Sequence, residues 1–203
     1  MKKILLFVLI LGSLGFAETK QKQTLLRGNA KHGGFGALSI KVGKLQDAWY
    51  GMLGFRFGWI INNNFSLGAA YYDMARNLTH YDVYAPDAVQ PPNNNNYYIL
   101  DTNLGGLDLE YLLFPEKQIH FGFNLLMGIA HIRYLEPVHF GAVVDDRHLF
   151  IEPTLNVSLN VSDHIKVIWG FSYRSADGVK AEGLTDDSVS GLMITGSFAV
   201  GLF

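Results

Sequence analysis

From Gly33 to the C-terminus, bulky apolar residues alternate with small or polar residues at a period of two. The clearest segment spans residues 165–174, where every second side chain is large and apolar. The apolar set there is Ile165, Val167, Trp169, Phe171 and Tyr173, and the other set is Lys166, Ile168, Gly170, Ser172 and Arg174. Alternation of this kind predicts β-strands with two chemically different faces.

Eight segments show this alternation. They lie within residues 37–42, 53–59, 65–71, 103–113, 119–130, 149–161, 165–174 and 192–202. Most of the strands they predict are near the 9–11 residues with which a tilted strand crosses a bilayer. The pattern therefore predicts an all-β fold: a transmembrane, antiparallel, up-and-down β-barrel of eight strands.

The predicted connections alternate in length. Short turns are expected at 62–64, 115–118 and 162–164, and longer loops at 76–102, 133–147 and 175–191, with 44–48 as the one modest loop of that set. Short periplasmic turns and longer external loops are typical of outer-membrane barrels. An even number of strands also returns the C-terminus to the periplasmic side.

The composition of the second face separates this fold from a soluble sandwich or a lipocalin-like barrel. A soluble barrel would carry Lys and Glu in numbers on the face opposite its apolar one, but here that face is mostly Gly, Ala, Ser, Thr and Asn. Small residues suit a narrow, filled lumen. Aromatic residues near the strand ends predict two interfacial girdles. We assign Trp59, Phe65, Phe114, Phe121 and Phe203 to one girdle, and Trp49, Tyr71, Tyr134 and Tyr173 to the other.

The N-terminus has the layout of a secretory signal peptide. Lys2 and Lys3 precede an apolar run over residues 4–11, and Gly15-Phe16-Ala17 forms a small-x-small end. The run is too short for a membrane anchor, which needs about 20 apolar residues. We predict a signal peptide over 1–17 cleaved after Ala17, a periplasmic lead-in over 18–32, and the barrel over 33–203.

Composition narrows the chemistry. The chain has 203 residues, a formal net charge of -2 and no cysteine. The absence of cysteine excludes a disulfide scaffold, a thiolate metal site and lipidation at a lipobox cysteine. The slightly negative net charge does not favour binding to nucleic acid, which is typical of basic proteins.

The chain resembles the small outer-membrane β-barrel proteins of the OmpA, OmpX and OmpW types. The resemblance rests on the signal peptide, the eight alternating segments, the hairpin from Gly58 to Gly68 and the terminal Phe203. The resemblance implies a monomer that lies in the bacterial outer membrane in contact with its lipids. It also implies that the barrel-assembly machinery recognises Phe203. In this chain Gly201 and Ala199, rather than bulky residues, share the phase of that phenylalanine.

Seven charged residues fall on the predicted lumen face and form the candidate site. They are Lys41, Arg56, Lys166 and Arg174, and Asp108, Glu110 and Glu152. Charges in a narrow interior must be paired or hydrated. Counting from the short turns sets Glu152 opposite Arg174 and lets Arg56 reach the acids of the following strand. An ion-pair plug that fills the barrel is the favoured interpretation, and a charged gate is the alternative.

No catalytic constellation emerges, and no catalytic, cofactor-binding or metal residue is assigned. There is no His-x-Ser pair on a lipid-facing strand end, and His139, Asp145, Asp146 and His148 have only a generic spacing for a cation. We therefore predict a non-enzymatic barrel with a structural role or with a surface ligand bound through its external loops. A narrow pathway for ions or small apolar solutes is the second hypothesis, and a lipid-modifying outer-membrane enzyme is the third.

Overall fold

The computed structural model describes residues 31–45, 48–75, 82–84, 97–135, 142–181 and 183–203. They form β1 (His32–Leu45), β2 (Ala48–Ile61), β3 (Phe65–Met74), β4 (Asp82–Tyr84), β5 (Tyr97–Leu113), β6 (Ile119–Leu135), β7 (Ala142–Ser162), β8 (Ile165–Asp177), α1 (Asp186–Val189) and β9 (Gly191–Leu202). The predicted signal peptide and residues 18–30 of the predicted lead-in lie outside the described residues.

Eight of these strands close into an antiparallel barrel. Consecutive strands pair in the order β3-β2-β1-β9-β8-β7-β6-β5, and β3 also pairs with β5, from Phe65 opposite Tyr111 to Asp73 opposite Asn103. The short strand β4 pairs with the outer end of β5 and extends it. The predicted eight-stranded up-and-down barrel is confirmed.

The outer surface of the barrel is apolar, and much of its lumen is lined by polar side chains. This is the reverse of the arrangement in a soluble protein. On β8, Trp169, Phe171 and Tyr173 are exposed, whereas Lys166, Ser172 and Arg174 are buried. All eight barrel strands present exposed apolar side chains to the outside. A soluble monomer rarely exposes a contiguous apolar surface of this size. Lipid is the solvent that fits this surface.

The aromatic girdles agree with the prediction at most positions and differ at Tyr134 and at Phe203, whose ring packs inside the end of the lumen against Phe35. Trp49, Trp59, Phe114 and Phe121 are exposed on the outer surface, but Tyr134 is 1% exposed and points into the lumen. The assignment of Tyr134 to the outer girdle was wrong because β6 continues its alternation farther than we expected, which carries residue 134 to the inner face.

The turn between β2 and β3 shows how local sequence sets the register. Asn62 and Asn63 have φ angles of 54° and 60°, a left-handed conformation that asparagine tolerates better than most residues. The predicted turn over 62–64 is confirmed, and it places Arg56 opposite Ala70.

Several strands are longer than the alternation indicated. Strand β5 begins at Tyr97 rather than after Thr102, β6 ends at Leu135, and β7 begins at Ala142. The predicted loops over 76–102 and 133–147 were therefore too long. Beyond the apolar surface the outer face becomes polar, with Arg133, Asp145 and Arg147, while apolar residues such as Leu100 and Ile132 point inward. The outward apolar row therefore ends while the backbone pairing continues. Among the described residues, no helix is long and apolar enough to cross a membrane.

Depth in the membrane should decide the cost of a charge on the outer face. Leu155 and Val161 lie on the outer face of β7 and are 57% and 56% exposed, but Leu155 lies at the centre of its apolar row and Val161 at the periplasmic end. We expect Leu155→Arg to lower the free energy of unfolding by about 2–4 kcal/mol, and Val161→Arg by about 0–1 kcal/mol, in urea titrations of vesicle-embedded protein. Equal costs at both positions would contradict the assignment of this face to lipid.

Candidate functional site: the filled lumen

The first group of lumen charges joins β2 to β5 across the barrel. Arg56 Nε donates to Asp108 Oδ2 at 2.9 Å, and its Nη2 donates to Glu110 Oε2 at 3.2 Å. Asn124 donates to the second oxygen of Asp108 at 2.5 Å, and Asn156 to the second oxygen of Glu110 at 2.7 Å. All five side chains are buried. Each carboxylate is thus satisfied by an ion pair and an amide.

Small residues on β3 let the guanidinium reach across. Strand β3 lies between β2 and β5, and there Ala70 stands opposite both Arg56 and Gly106, while Gly68 stands opposite both Gly58 and Asp108. Because these side chains are small, they leave space above the inner face of β3 for a long side chain to pass. Arg56 therefore contacts acids two strands away.

The second group centres on Glu152, which is fully buried. Lys41 Nζ lies 2.5 Å from its Oε1, and Arg174 Nε donates to its Oε2 at 2.9 Å. Ser172 Oγ donates to Oε1 at 2.9 Å, and Arg174 Nη1 donates to the Tyr50 hydroxyl at 2.8 Å. One carboxylate on β7 therefore holds cations from β1 and β8.

Lys166, the remaining member of the candidate site, joins neither group. Its Nζ lies 3.9 Å from the centre of the Phe203 ring, and that ring stacks against Phe35 with centroids 6.4 Å apart. Phe203 therefore lies at the periplasmic mouth of the lumen, on the side that its phase with Gly201 and Ala199 indicated. The role of Phe203 in assembly stays a prediction.

Large apolar and tyrosine side chains fill the outer half of the lumen, which is the half farther from the short turns. The sequence pattern did not predict this filling. The buried cluster comprises Tyr50, Met52, Ala70, Tyr72, Met74, Leu100, Leu104, Leu126, Ala130, Ile132, Tyr134, Phe150, Ala176, Ala181, Leu184, Val189 and Met193. Gly54 makes room for one of them, since a side chain there would collide with the ring of Tyr72. The expectation that small residues dominate the inner face holds only for the inner half.

The segment between β8 and β9 closes the external mouth as a cap rather than forming an open loop. Three of its side chains, Ala181, Leu184 and Val189, are buried in the apolar cluster. The Asp146 carboxylate on β7 accepts the backbone N–H groups of Lys180 and Ala181 at 2.8 and 3.0 Å. The predicted loop over 175–191 was therefore only partly right: β8 continues to Asp177 and the rest is folded onto the barrel.

Asp146 therefore has a structural role, because its carboxylate holds the cap on the barrel. Among the described residues, no group of three or more His, Asp or Glu side chains is arranged to hold a metal ion. His139, one of the four residues considered in the sequence, lies outside the described residues.

Small cavities lie between the lumen side chains of the described residues. One has a volume of about 10 Å³ and lies beside Lys41, Arg56 and Asp108, and another has a volume of about 20 Å³ and lies beside Lys166 and Phe203. A cavity needs roughly 10–15 Å³ to hold one water molecule. The inner half of the lumen thus has space for individual water molecules beside its charges.

Comparison with known proteins identifies the fold. No protein-family model and no curated protein matches the chain. Among solved structures, Neisserial surface protein A matches with a TM-score of 0.54 and 11% identity over 86% of this chain and 97% of that chain. OprG from Pseudomonas aeruginosa has 12% identity and a TM-score of 0.46 over 84% and 95% of the two chains. The attachment invasion locus protein Ail of Yersinia pestis has 8% identity and a TM-score of 0.46 over the same shares.

The likeness to Neisserial surface protein A, with the closed barrel and its apolar exterior, defines the class of fold. The chain has the fold of the eight-stranded outer-membrane β-barrels. At 11% identity the likeness to Neisserial surface protein A shows the fold alone.

Proposed function

We propose that this chain is a bacterial outer-membrane protein whose barrel is a closed, non-conducting scaffold and whose role lies in interactions made by its external strands and loops. One observation carries the proposal: the lumen is filled at three successive levels. Buried ion pairs occupy the inner half, an apolar cluster occupies the outer half, and the cap covers the external mouth. An eight-stranded barrel is just wide enough for side chains to fill it.

The external side of the barrel offers the larger surface for a partner. Strands β5, β6 and β7 contain 17, 17 and 21 residues, whereas about 9–11 suffice to cross the bilayer. The excess lies at the end opposite the short turns, where β4 also pairs with β5. Binding residues are commonly carried on loops that a rigid scaffold positions. Outer-membrane lipids around the apolar exterior and a surface ligand at this external end are the partners that fit.

A narrow pathway for ions or small solutes is the second candidate, and the lumen charges with the cavities beside them are the observation in its favour. A permeating ion would have to separate the pairs around Arg56 and Glu152 and then pass the apolar cluster. Breaking one buried pair costs several kcal/mol. The scaffold function therefore fits the lumen better.

A lipid-modifying enzyme fits less well than either. His120 and Ser158 stand opposite each other on β6 and β7, but they point into the lumen, away from the lipid-facing surface. The Nδ1 atom of His120 contacts the backbone carbonyl oxygen of Lys117 rather than a carboxylate. A serine nucleophile needs an adjacent base that is itself oriented, and the cavity beside this pair is too small for an acyl chain.

Replacing residues 85–96 by an Asn-Gly turn tests the interaction role. Tyr84 and Tyr97 stand opposite each other on β4 and β5, so a two-residue turn joins them without loss of a strand pair. We expect folding and membrane insertion to be unchanged, because loop closure entropy changes slowly with length. Surface phenotypes of cells that carry the protein, namely adhesion and sensitivity to phage or host factors, should be lost.

A matched control shortens the periplasmic turn over 115–118, which should leave those phenotypes intact. Cells with the 85–96 replacement that match wild type in every surface assay would contradict the interaction role. If the purified wild-type barrel also passes ions, the pathway hypothesis replaces it.

A further inference from the structure

Lys166 is the lumen cation without a carboxylate partner. In the described part of the chain, Lys41, Arg56 and Arg174 each have a carboxylate oxygen within 3.2 Å, and Lys166 has none within ion-pair distance. Its side chain is nevertheless buried. The cation–π contact between the Lys166 ammonium and the Phe203 ring is favourable, but it does not neutralise the positive charge.

The buried charges at the level of the membrane do not balance. The seven lumen charges comprise four cations and three carboxylates, so the lumen as a whole carries a net charge of +1. Of the described residues, the two other buried acids do not supply the balance. Asp101 pairs with Arg133, and Asp146 lies at the opposite end of the barrel, where its carboxylate accepts hydrogen bonds from backbone N–H groups of the cap. An unpaired charge in an apolar interior is costly.

Unsatisfied polar atoms surround this lysine. Lys166 lines the cavity of about 20 Å³ together with Ser66, His120 and Ser158. Ser66 Oγ, Ser158 Oγ and His120 Nε2 are buried and have no hydrogen-bond partner. Because His120 Nδ1 lies 3.2 Å from the carbonyl oxygen of Lys117, Nδ1 carries a proton. In the neutral ring the Nε2 lone pair can accept from the Lys166 ammonium and orient it.

The rest of the cavity wall does not satisfy these groups. Glu110 also lines the cavity, but its two oxygens accept hydrogen bonds from Arg56 and Asn156. The other lining residues are apolar: Phe35, Ile60, Leu112, Ile168 and Phe203. The cavity thus presents the Lys166 ammonium and two hydroxyl groups without partners, and its wall is completed by the His120 ring, the Glu110 carboxylate held by Arg56 and Asn156, and apolar side chains.

We propose that this cavity is a binding site for one small monovalent anion of the size of chloride. The Lys166 ammonium and the hydroxyls of Ser66 and Ser158 donate to the anion, and Phe203 closes the site toward the periplasm. The anion supplies the charge that the lumen lacks. The volume, close to that of one water-sized occupant, excludes phosphate and larger carboxylates.

Bromide is the probe, because it is close to chloride in size and scatters anomalously. Crystals of the wild-type protein grown in sodium bromide should show an anomalous peak in the cavity. The urea midpoint of unfolding in detergent micelles should be higher in sodium bromide than in sodium gluconate of equal ionic strength. The midpoint should keep rising with the logarithm of bromide concentration, as expected for a ligand bound only by the folded state.

Two lysine variants separate this site from a general salt effect. Lys166→Met should lose both the peak and the bromide dependence, whereas Lys117→Met, which removes an exposed lysine at the same end of the barrel, should keep both. The wild-type comparison of the two salts decides the matter even if Lys166→Met does not fold. A peak without any midpoint shift marks an adventitious ion only, and equal midpoints in the two salts or an unchanged response in Lys166→Met overturns the proposal.

Discussion

Arg56→Met is expected to lower the free energy of unfolding by about 3–5 kcal/mol. The change keeps much of the side-chain volume but removes the charge that lies between Asp108 and Glu110. Both carboxylates are buried, and each would retain only an amide donor, from Asn124 and Asn156. Urea titration of the protein in lipid vesicles measures the loss.

The partner variants show whether the loss comes from unpaired charge. Arg56→Met combined with Asp108→Asn and Glu110→Gln should be more stable than Arg56→Met alone, because no carboxylate is then left without its cation. Arg147→Met makes the same chemical change at an exposed position and should cost about 0.5 kcal/mol or less. Strictly additive losses in the triple variant would show that these groups are hydrated independently, as in a water-filled channel.

Glu152→Gln is expected to be as damaging, again by about 3–5 kcal/mol. It leaves Lys41 and Arg174 as two buried cations around an amide, where a carboxylate had accepted from both. The amide also presents its own N–H donors to groups that need an acceptor. The same unfolding titration measures the effect.

A second substitution should partly reverse that loss. Lys41→Met in the Glu152→Gln background removes one of the two uncompensated cations, so the double variant should be more stable than Glu152→Gln. Glu116→Gln, at an exposed turn position, is the matched control and should be nearly neutral. A double variant no better than the single one would argue against an ion-paired lumen.

The geometry around these charges could be predicted because two local features of the sequence determine it. Alternation fixes which residues point inward, and a short turn fixes which residues stand opposite each other. The three-residue turn after Ile61 sets Arg56 opposite Ala70 without any knowledge of tertiary structure. Sequence alone thus identifies the residues that can meet in the inner half of the lumen.

The outer half could not be anticipated in the same way. Residues such as Met52, Leu104 and Leu126 are apolar on the inner face, so they weaken the alternation that distinguishes the two faces. The cap depends on contacts between segments that are distant in sequence, such as Asp146 with Lys180. Local periodicity carries no information about either feature.

Planar-bilayer recording of the purified wild-type protein measures whether the lumen is closed to ions. Ion pairs, the apolar cluster and the cap together fill the lumen, so inserted protein should give no ion current above that of the bare membrane. Stable, stepwise currents from correctly folded, monodisperse protein would contradict this expectation. They would show that water and ions pass the levels at which the structure places side chains.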